Sequence, residues 1–314
     1  MSTSNSRPSK NDRRDAAREK ARQLREEQRK KEKRNKLLVQ GGLIVALLAV
    51  VAVVAFVITS SIKPPAAGPL NMLSDGVKIG QGFKAERTGS LLPDKEPIPS
   101  ASNASSDVLD IRVYVDYLCP ICGGFEAANA DQIQKLVSDG AATLEIHPIA
   151  ILDRLSQGTK YSTRSANAAA CVANFSPDNF FDFSALLFKN QPAENTPGLD
   201  DETIIGFAKQ AGVDKLKDIT SCINSGTFDS WVEGATDRFI NKAIPGVVTQ
   251  PAQKGTPTIY VNGQLYPYTL NQQTGAFDPD EFSTFLVQVL GSNFSNQSTP
   301  SPSPSGSPSP SATP

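Results

Sequence analysis

The chain has 314 residues, with 31 Lys+Arg against 32 Asp+Glu, four cysteines and one histidine. That length admits one or two domains. One histidine and one close cysteine pair argue against a zinc centre, which needs about four ligands and usually two close pairs. The near-neutral total hides an asymmetry: residues 1–36 hold 14 Lys+Arg and 6 Asp+Glu, so a +8 arm precedes a remainder of −9.

After the arm comes L-L-V-Q-G-G-L-I-V-A-L-L-A-V-V-A-V-V-A-F-V-I, residues 37–58, in which Gln40 is the single polar side chain. A helix of this length spans the roughly 30 Å hydrocarbon core of a bilayer. A cleaved signal peptide has an apolar region of about 7–15 residues and a short basic region; both are longer here. The expectation is an uncleaved transmembrane signal anchor at 37–59. The basic excess places the arm, residues 1–36, in the cytoplasm. The protein is then single-pass in the cell membrane, with everything after Thr59 extracytoplasmic. The arm reads as a topology signal lying on anionic lipid heads. It has no aromatic residues to stack on bases, so no nucleic-acid partner is expected.

Residues 60–106 are rich in Pro, Ser, Ala and Gly and read as an extracytoplasmic linker. Within it, M-L-S-D-G-V-K-I-G-Q-G-F-K-A suggests a small hairpin against the body. The body spans 107–293. The Ser/Pro tract at 294–314 cannot bury a core and reads as disordered.

Within the body, D-V-L-D-I-R-V-Y-V-D-Y-L (107–118) alternates and is β-branched, which predicts a strand. C-P-I-C-G-G-F-E-A-A-N-A-D-Q-I-Q-K-L-V (119–137) predicts a helix despite its early Gly pair. A second strand follows at 142–152, then a helical stretch from about Tyr161 to Ala243. T-P-T-I-Y-V-N-G-Q-L-Y-P-Y (256–268) reads as two short strands about an Asn-Gly turn. Residues 278–290 form an amphipathic helix, capped by Asp278 with Pro279 at its first position.

Outside the membrane disulfides form and persist, and four cysteines allow three pairings. A two-residue gap closes too small a loop to stabilise much. A redox pair fits Cys119 and Cys122 better. Cys119 falls at a helix N-terminus, where free N–H groups and the dipole favour a thiolate. Pro120 suits the first turn. Cys119 is then the nucleophile and Cys122 the resolving thiol. Pairing them leaves Cys171 and Cys222, read as a structural disulfide, with a relay to the first pair as the alternative. Asp116 is a possible proton relay, or else a solvated strand-end carboxylate; Glu126 is a weaker candidate for the same role. His147, Trp231, Phe180, Phe181 and Phe183 read as packing residues, with a peptide groove beside the site as the alternative for Trp231 and the phenylalanines. Pro257 on its own merely opens a strand.

A strand, C-P-x-C on a helix, a second strand, a helical block, then T-P before a hairpin and a last helix resembles the DsbA-like family over about 107–292. The motifs that carry this are Y-L-C-P-I-C and G-T-P-T-I-Y-V-N-G. The resemblance implies an α/β thioredoxin-like fold with an inserted helical domain, here about 153–253. It implies a cis Pro257, preceded by Thr256, facing the cysteine pair. The anchor and the extra cysteine pair look like the membrane-tethered members of Gram-positive bacteria. The best-known family pattern is C-P-H-C; this chain has Ile121 at that place, which donates no charged hydrogen bond, so a smaller thiol shift is expected. The implied activity is a protein thiol-disulfide oxidoreductase that installs disulfides in exported, unfolded proteins with free thiols. A membrane partner reoxidises it. No cofactor or metal is needed, because the thiols carry the electrons. The alternatives are an electron-fed reductase or isomerase, and a non-enzymatic tethered scaffold or chaperone.

Overall fold

The computed structural model describes residues 10–61, 67–93, 95–102 and 107–297, without the side chains of 10–17, 35, 37–39, 43–46, 55–61 and 293–297. Its contacts divide the chain into two units, Met1–Lys63 and Pro64–Pro314. The first holds one helix, α1 (Lys10–Ser61). Among the described residues no helix is long and apolar enough to cross a membrane; much of the 37–59 run expected as an anchor lies outside the described side chains.

The second unit is built on a six-stranded sheet. Its strands are β1 (Val77–Gly80), β2 (Lys84–Ala85), β3 (Leu109–Val115), β4 (Ala142–Pro148), β5 (Thr258–Val261) and β6 (Gln264–Leu265). The order is β2-β1-β4-β3-β5-β6. Only β3 and β4 pair in parallel, with Ile111 opposite Leu144 and Val113 opposite Ile146. A parallel pair needs a long crossover, and α2 (Pro120–Ser138) supplies it.

Residues alternate faces along a strand, and the two central strands use this fully. Val113 and Val115 of β3, with Leu144 and Ile146 of β4, meet Phe125 and Ile133 of α2. The buried stripe of α2, Cys122, Phe125, Asn129, Ile133 and Val137, has helical spacing. The helix stops at Gly140, whose φ of +75° suits a residue without a Cβ. The opposite sheet face packs Tyr114 and Tyr260 with Phe239 and Ile244. Phe239 comes from α7 (Asp229–Asn241).

The expected helical stretch resolves into α3 (Tyr161–Phe175), α4 (Phe180–Lys189), α5 (Asp201–Gln210), α6 (Leu216–Ser225) and α7. Helix α3 is the centre of this block, contacting α4, α5, α6 and α7, and its Ala166, Ala168, Ala169 and Ala170 are fully buried. Small side chains let four helices approach it closely. Cys171 of α3 and Cys222 of α6 form a disulfide. Phe180, Phe181 and Phe183 of α4 and Trp231 of α7 are buried in the core. The Asn262-Gly263 turn between β5 and β6 has φ +49° and +75°, the two left-handed residues of a tight hairpin. The last helix, α8 (Pro279–Gln297), starts where Asp278 accepts a hydrogen bond from the Asp280 N–H at 3.0 Å. It runs past Asn293; residues 298–314 of the expected tail lie outside the described residues.

The stretch expected as a linker is more than a spacer, and the small hairpin expected within it is present: β1 pairs antiparallel with β2 through Ile79–Ala85. β1 is an internal strand, antiparallel to β4 through Val77–Ile146 and Ile79–Leu144, and residues 67–93 and 95–102 pack on the body. Met72, Val77, Ile79, Ala85 and Leu91 are buried. Buried Glu145 accepts 2.6 Å hydrogen bonds from the Ser74 and Ser100 hydroxyls and pairs with Arg112 at 2.8 Å. Few apolar residues, spread among Pro and Ser, suffice because the sheet edge offers β1 a partner.

Candidate active site

Where β3 leaves the sheet, the chain turns sharply into α2. The Cys119 N–H donates to the Asp116 carbonyl at 2.9 Å, and the Leu118 N–H to Asp116 Oδ1 at 2.9 Å. Cys119 is the N-cap of α2, in extended backbone, and Pro120 takes the first helical position. Cys122 lies one turn on. Both are free thiols and both are buried, Cys119 at 5 % and Cys122 at 2 % exposure. Ile121 between them is 39 % exposed and faces outward.

The two thiols are pushed in opposite directions. The hydrogen bond from Cys122 does most to pull the Cys119 thiol down, from an ordinary 9.0 to about 6. Burial opposes this, and Thr256 and the N–H groups of Cys122 and Ile121 assist. Burial pushes the Cys122 thiol well above its usual value. The helix end and its N–H groups therefore favour negative charge at the first sulfur, while the second is held as a thiol.

Across from the pair, the Thr256–Pro257 peptide bond is cis. The Cys119 thiol donates to the Thr256 carbonyl at 3.2 Å. The Tyr268 hydroxyl donates to the Pro257 carbonyl at 3.2 Å. Beside this loop an open cleft of about 340 Å³ is lined by Lys254, Thr256, Pro257, Leu265, Tyr266 and Tyr268.

Asp116 is not a solvated carboxylate. It is fully buried, and burial raises its carboxyl to about 6. Its Oδ1 accepts from Leu118, and its Oδ2 from Ile151 and Leu152, each at 2.9 Å. It ties the loop carrying Cys119 to the loop after β4. His147 is buried at the other face, stacked on Tyr114 at 4.3 Å, with Nε2 3.4 Å from Glu145 Oε1. It is remote in contacts from the cysteines. Cys171 and Cys222 are bonded to each other in the helical block.

Gln191 is a site residue that sequence reasoning missed. Its Nε2 donates to the carbonyls of Tyr117 at 3.0 Å and Cys119 at 2.9 Å, bracing the turn. A Cβ on Gly123 would stand 2.4 Å from Gln191 Oε1, so the early Gly pair that looked unsuited to a helix makes room for this amide. That pair was the one available signal. Tyr268 was also missed; it is one of several tyrosines at hairpin spacing, and nothing local marks it.

A family model described as Thioredoxin matches residues 102–286. The serine/threonine-protein kinase PknE of Mycobacterium tuberculosis is 32% identical over 120 residues, 37% of this chain and 21% of the kinase. The chain thus matches about a fifth of the length of that relative. Disulfide bond formation protein D of Bacillus subtilis is 28% identical over 174 residues, 54% of this chain and 69% of that protein. The crystal structure of oxidised DsbA of Mycobacterium tuberculosis superposes with a TM-score of 0.49 at 29% identity, covering 69% of this chain and 93% of that one.

Proposed function

The chain belongs to the thioredoxin family, and from that premise we propose that it is an extracytoplasmic protein thiol-disulfide oxidoreductase of DsbA-like type that introduces disulfides into exported proteins. The observation that carries the reading is the split between the two thiols. Cys119 is drawn down to about 6 and Cys122 held up, at a helix N-terminus facing the Thr256–Pro257 loop. A stabilised Cys119 thiolate is a good leaving group and makes the reduced pair the more stable one, which is the property of an oxidant.

In the proposed cycle, a thiolate of an unfolded exported protein attacks Cys119 of the oxidised pair. Cys122 leaves, and a mixed disulfide forms at Cys119. A second substrate thiolate attacks the substrate sulfur, Cys119 leaves as thiolate, and the substrate disulfide is complete. The two enzyme thiols are then reoxidised by a membrane partner. The cleft beside Pro257 gives an extended substrate room to lie against the loop, and Thr256 and Pro257 are its contacts next to the sulfur.

The anchor belongs to this reading. It is supported by the uncharged run at 37–58 and by the +8 arm before it, and α1 continues through the run. An electron-fed reductase or isomerase would use the same residues in reverse, and the lowered Cys119 thiol disfavours it. A tethered scaffold or chaperone would not need the thiols.

The test is refolding of a reduced, unfolded secreted protein by the oxidised enzyme, with free thiols counted over time. The wild type should consume two substrate thiols per enzyme disulfide. Cys119→Ser and Cys122→Ser should both abolish this, because neither variant can form the enzyme disulfide that takes up the substrate's electrons. Full folding activity in Cys119→Ser would leave the scaffold reading standing instead.

A further inference from the structure

We propose that Tyr268 is a positioning residue: its hydroxyl holds the Thr256–Pro257 loop against Cys119 and so sets how strongly the thiol pair draws electrons. The inference rests on the oxidoreductase reading above and deepens it.

Both polar groups of Thr256 meet the sulfur. Its carbonyl accepts from the Cys119 thiol at 3.2 Å. Its hydroxyl is buried and has no partner among the described residues. After the Cys122 thiol, which does most, that hydroxyl helps to draw the Cys119 thiol down. The carbonyl serves the thiol, and the hydroxyl is a donor held ready for the thiolate. A hydrogen bond weakens steeply when its geometry slips, so the service depends on where the loop stands.

Pro257 has no N–H, and its carbonyl is the backbone group by which it can be tied. The Tyr268 hydroxyl supplies that tie at 3.2 Å. The Thr258 hydroxyl, bonded to the Gly255 carbonyl at 2.6 Å, braces the loop only against itself. Tyr268 is in turn seated against the helix that carries the cysteines. Its ring packs on Phe277 at 4.9 Å between centroids. Phe277 meets Phe125 of α2 edge-on at 5.4 Å and stands 3.7 Å from the place a Cβ on Gly124 would take. The loop is therefore held in register with α2. Burial raises the Tyr268 hydroxyl, and charge on Cys122 and Cys119 adds to this, so it stays protonated and remains a donor when the thiolate forms.

The reduced enzyme carries its charge at Cys119. The Thr256 hydroxyl stabilises that state and not the disulfide, which makes the pair more oxidising. Without the tie at Pro257 the loop turns the hydroxyl off the sulfur, and the reduced form loses this support. No bond forms or breaks at Tyr268.

The experiment compares the full chain in detergent as wild type, Tyr268→Phe, Thr256→Val and the double variant. Tyr268→Phe removes one oxygen and keeps the packing of the ring. Two quantities are read: the Cys119 thiolate absorbance at 240 nm from pH 4 to 9, and the equilibrium of the pair with glutathione. Tyr268→Phe should move the midpoint up from about 6 by roughly half a unit to one unit, the reach of one hydrogen bond. The glutathione equilibrium should move about two- to tenfold toward the oxidised enzyme. Thr256→Val should do the same, and the double variant should go no further than Thr256→Val, because the tyrosine acts through that hydroxyl. A residue that only supports the fold would lower the melting temperature and leave both readings in place. A Tyr268→Phe protein with the wild-type midpoint and equilibrium, or a double variant in which the two shifts add, would overturn the inference while leaving the oxidoreductase reading intact. A wild type that exchanges no disulfide with glutathione would overturn the reading itself, and the inference with it.

Discussion

Cys119 gains its low affinity for protons from the hydrogen bond of Cys122, with the helix end adding to it. No imidazole stands between the cysteines; Ile121 points to solvent and leaves the thiolate to the Cys122 thiol and the backbone. Ile121→His should therefore move the 240 nm titration midpoint below about 6 and make the pair more oxidising; an unchanged midpoint would show that this position does not face the sulfur. The buried acids act with the opposite sign. A carboxyl whose folded value lies above its unfolded one binds a proton more tightly when folded, so stability is highest at low pH and falls as pH rises through the folded value. For Glu126 the window runs from 4.5 to about 7. Relative to Glu126→Gln, the wild type should lose up to about 3 kcal/mol between pH 4 and pH 8, read by urea unfolding at each pH. Glu126 is half-buried by its surface exposure, and a difference that does not change with pH would contradict the desolvation of its carboxyl.

Among the elements, the order of strands and helices was legible in the chain because each carries its own period. Alternating β-branched residues mark β3, and Asp278-Pro279 marks the start of α8. The Asn-Gly step marks the last hairpin. Two features were not fully legible. The hairpin of β1 and β2 was readable within 72–85, but the place of β1 beside β4 depends on a sheet edge that local sequence does not describe. Gln191 acts on Tyr117 and Cys119 across 74 and 72 positions, a contact made only when α4 packs on α2. Its amide serves two carbonyls that lose a partner in Gln191→Ala. That change should cost about 1–3 kcal/mol and slow glutathione exchange at Cys119; loss of neither would show the turn to be rigid without it. The Cys171–Cys222 bond closes a separation of 51 residues, worth up to about 4 kcal/mol by the chain-entropy model. The Cys171→Ala/Cys222→Ala pair should lower the melting temperature yet leave exchange at Cys119 intact at low temperature, whereas a relay between the pairs would show as lost turnover.

For the molecule as a whole, the sheet holds the two functional loops at one end. β3 delivers Cys119 and β5 begins at Thr258, just after Pro257, so antiparallel pairing of Tyr114 with Thr258 sets the cysteines against the cis peptide. The helical block lies between β4 and β5 in sequence and contributes α4, which closes the pocket over Cys122. The composition of this block, rich in buried Ala and Phe, was readable as packing; which of its phenylalanines would face Cys122, namely Phe181 and Phe188, was not. The strap of residues 67–102 joins the same body. A soluble form should begin at Pro64 rather than at Asp107, and one begun at Asp107 should be markedly less stable, because it lacks β1, β2 and both hydroxyls that serve Glu145.

The central claim is that this thiol pair is an oxidant. The most direct measurement is the reduction potential of Cys119–Cys122 in a soluble form begun at Pro64, equilibrated in glutathione buffers and trapped by alkylation. A value at or above about −180 mV, with the reduced pair the more stable, is the result this account predicts. A value near about −270 mV, where thioredoxin lies, would contradict it and make the protein an electron-fed reductase or isomerase.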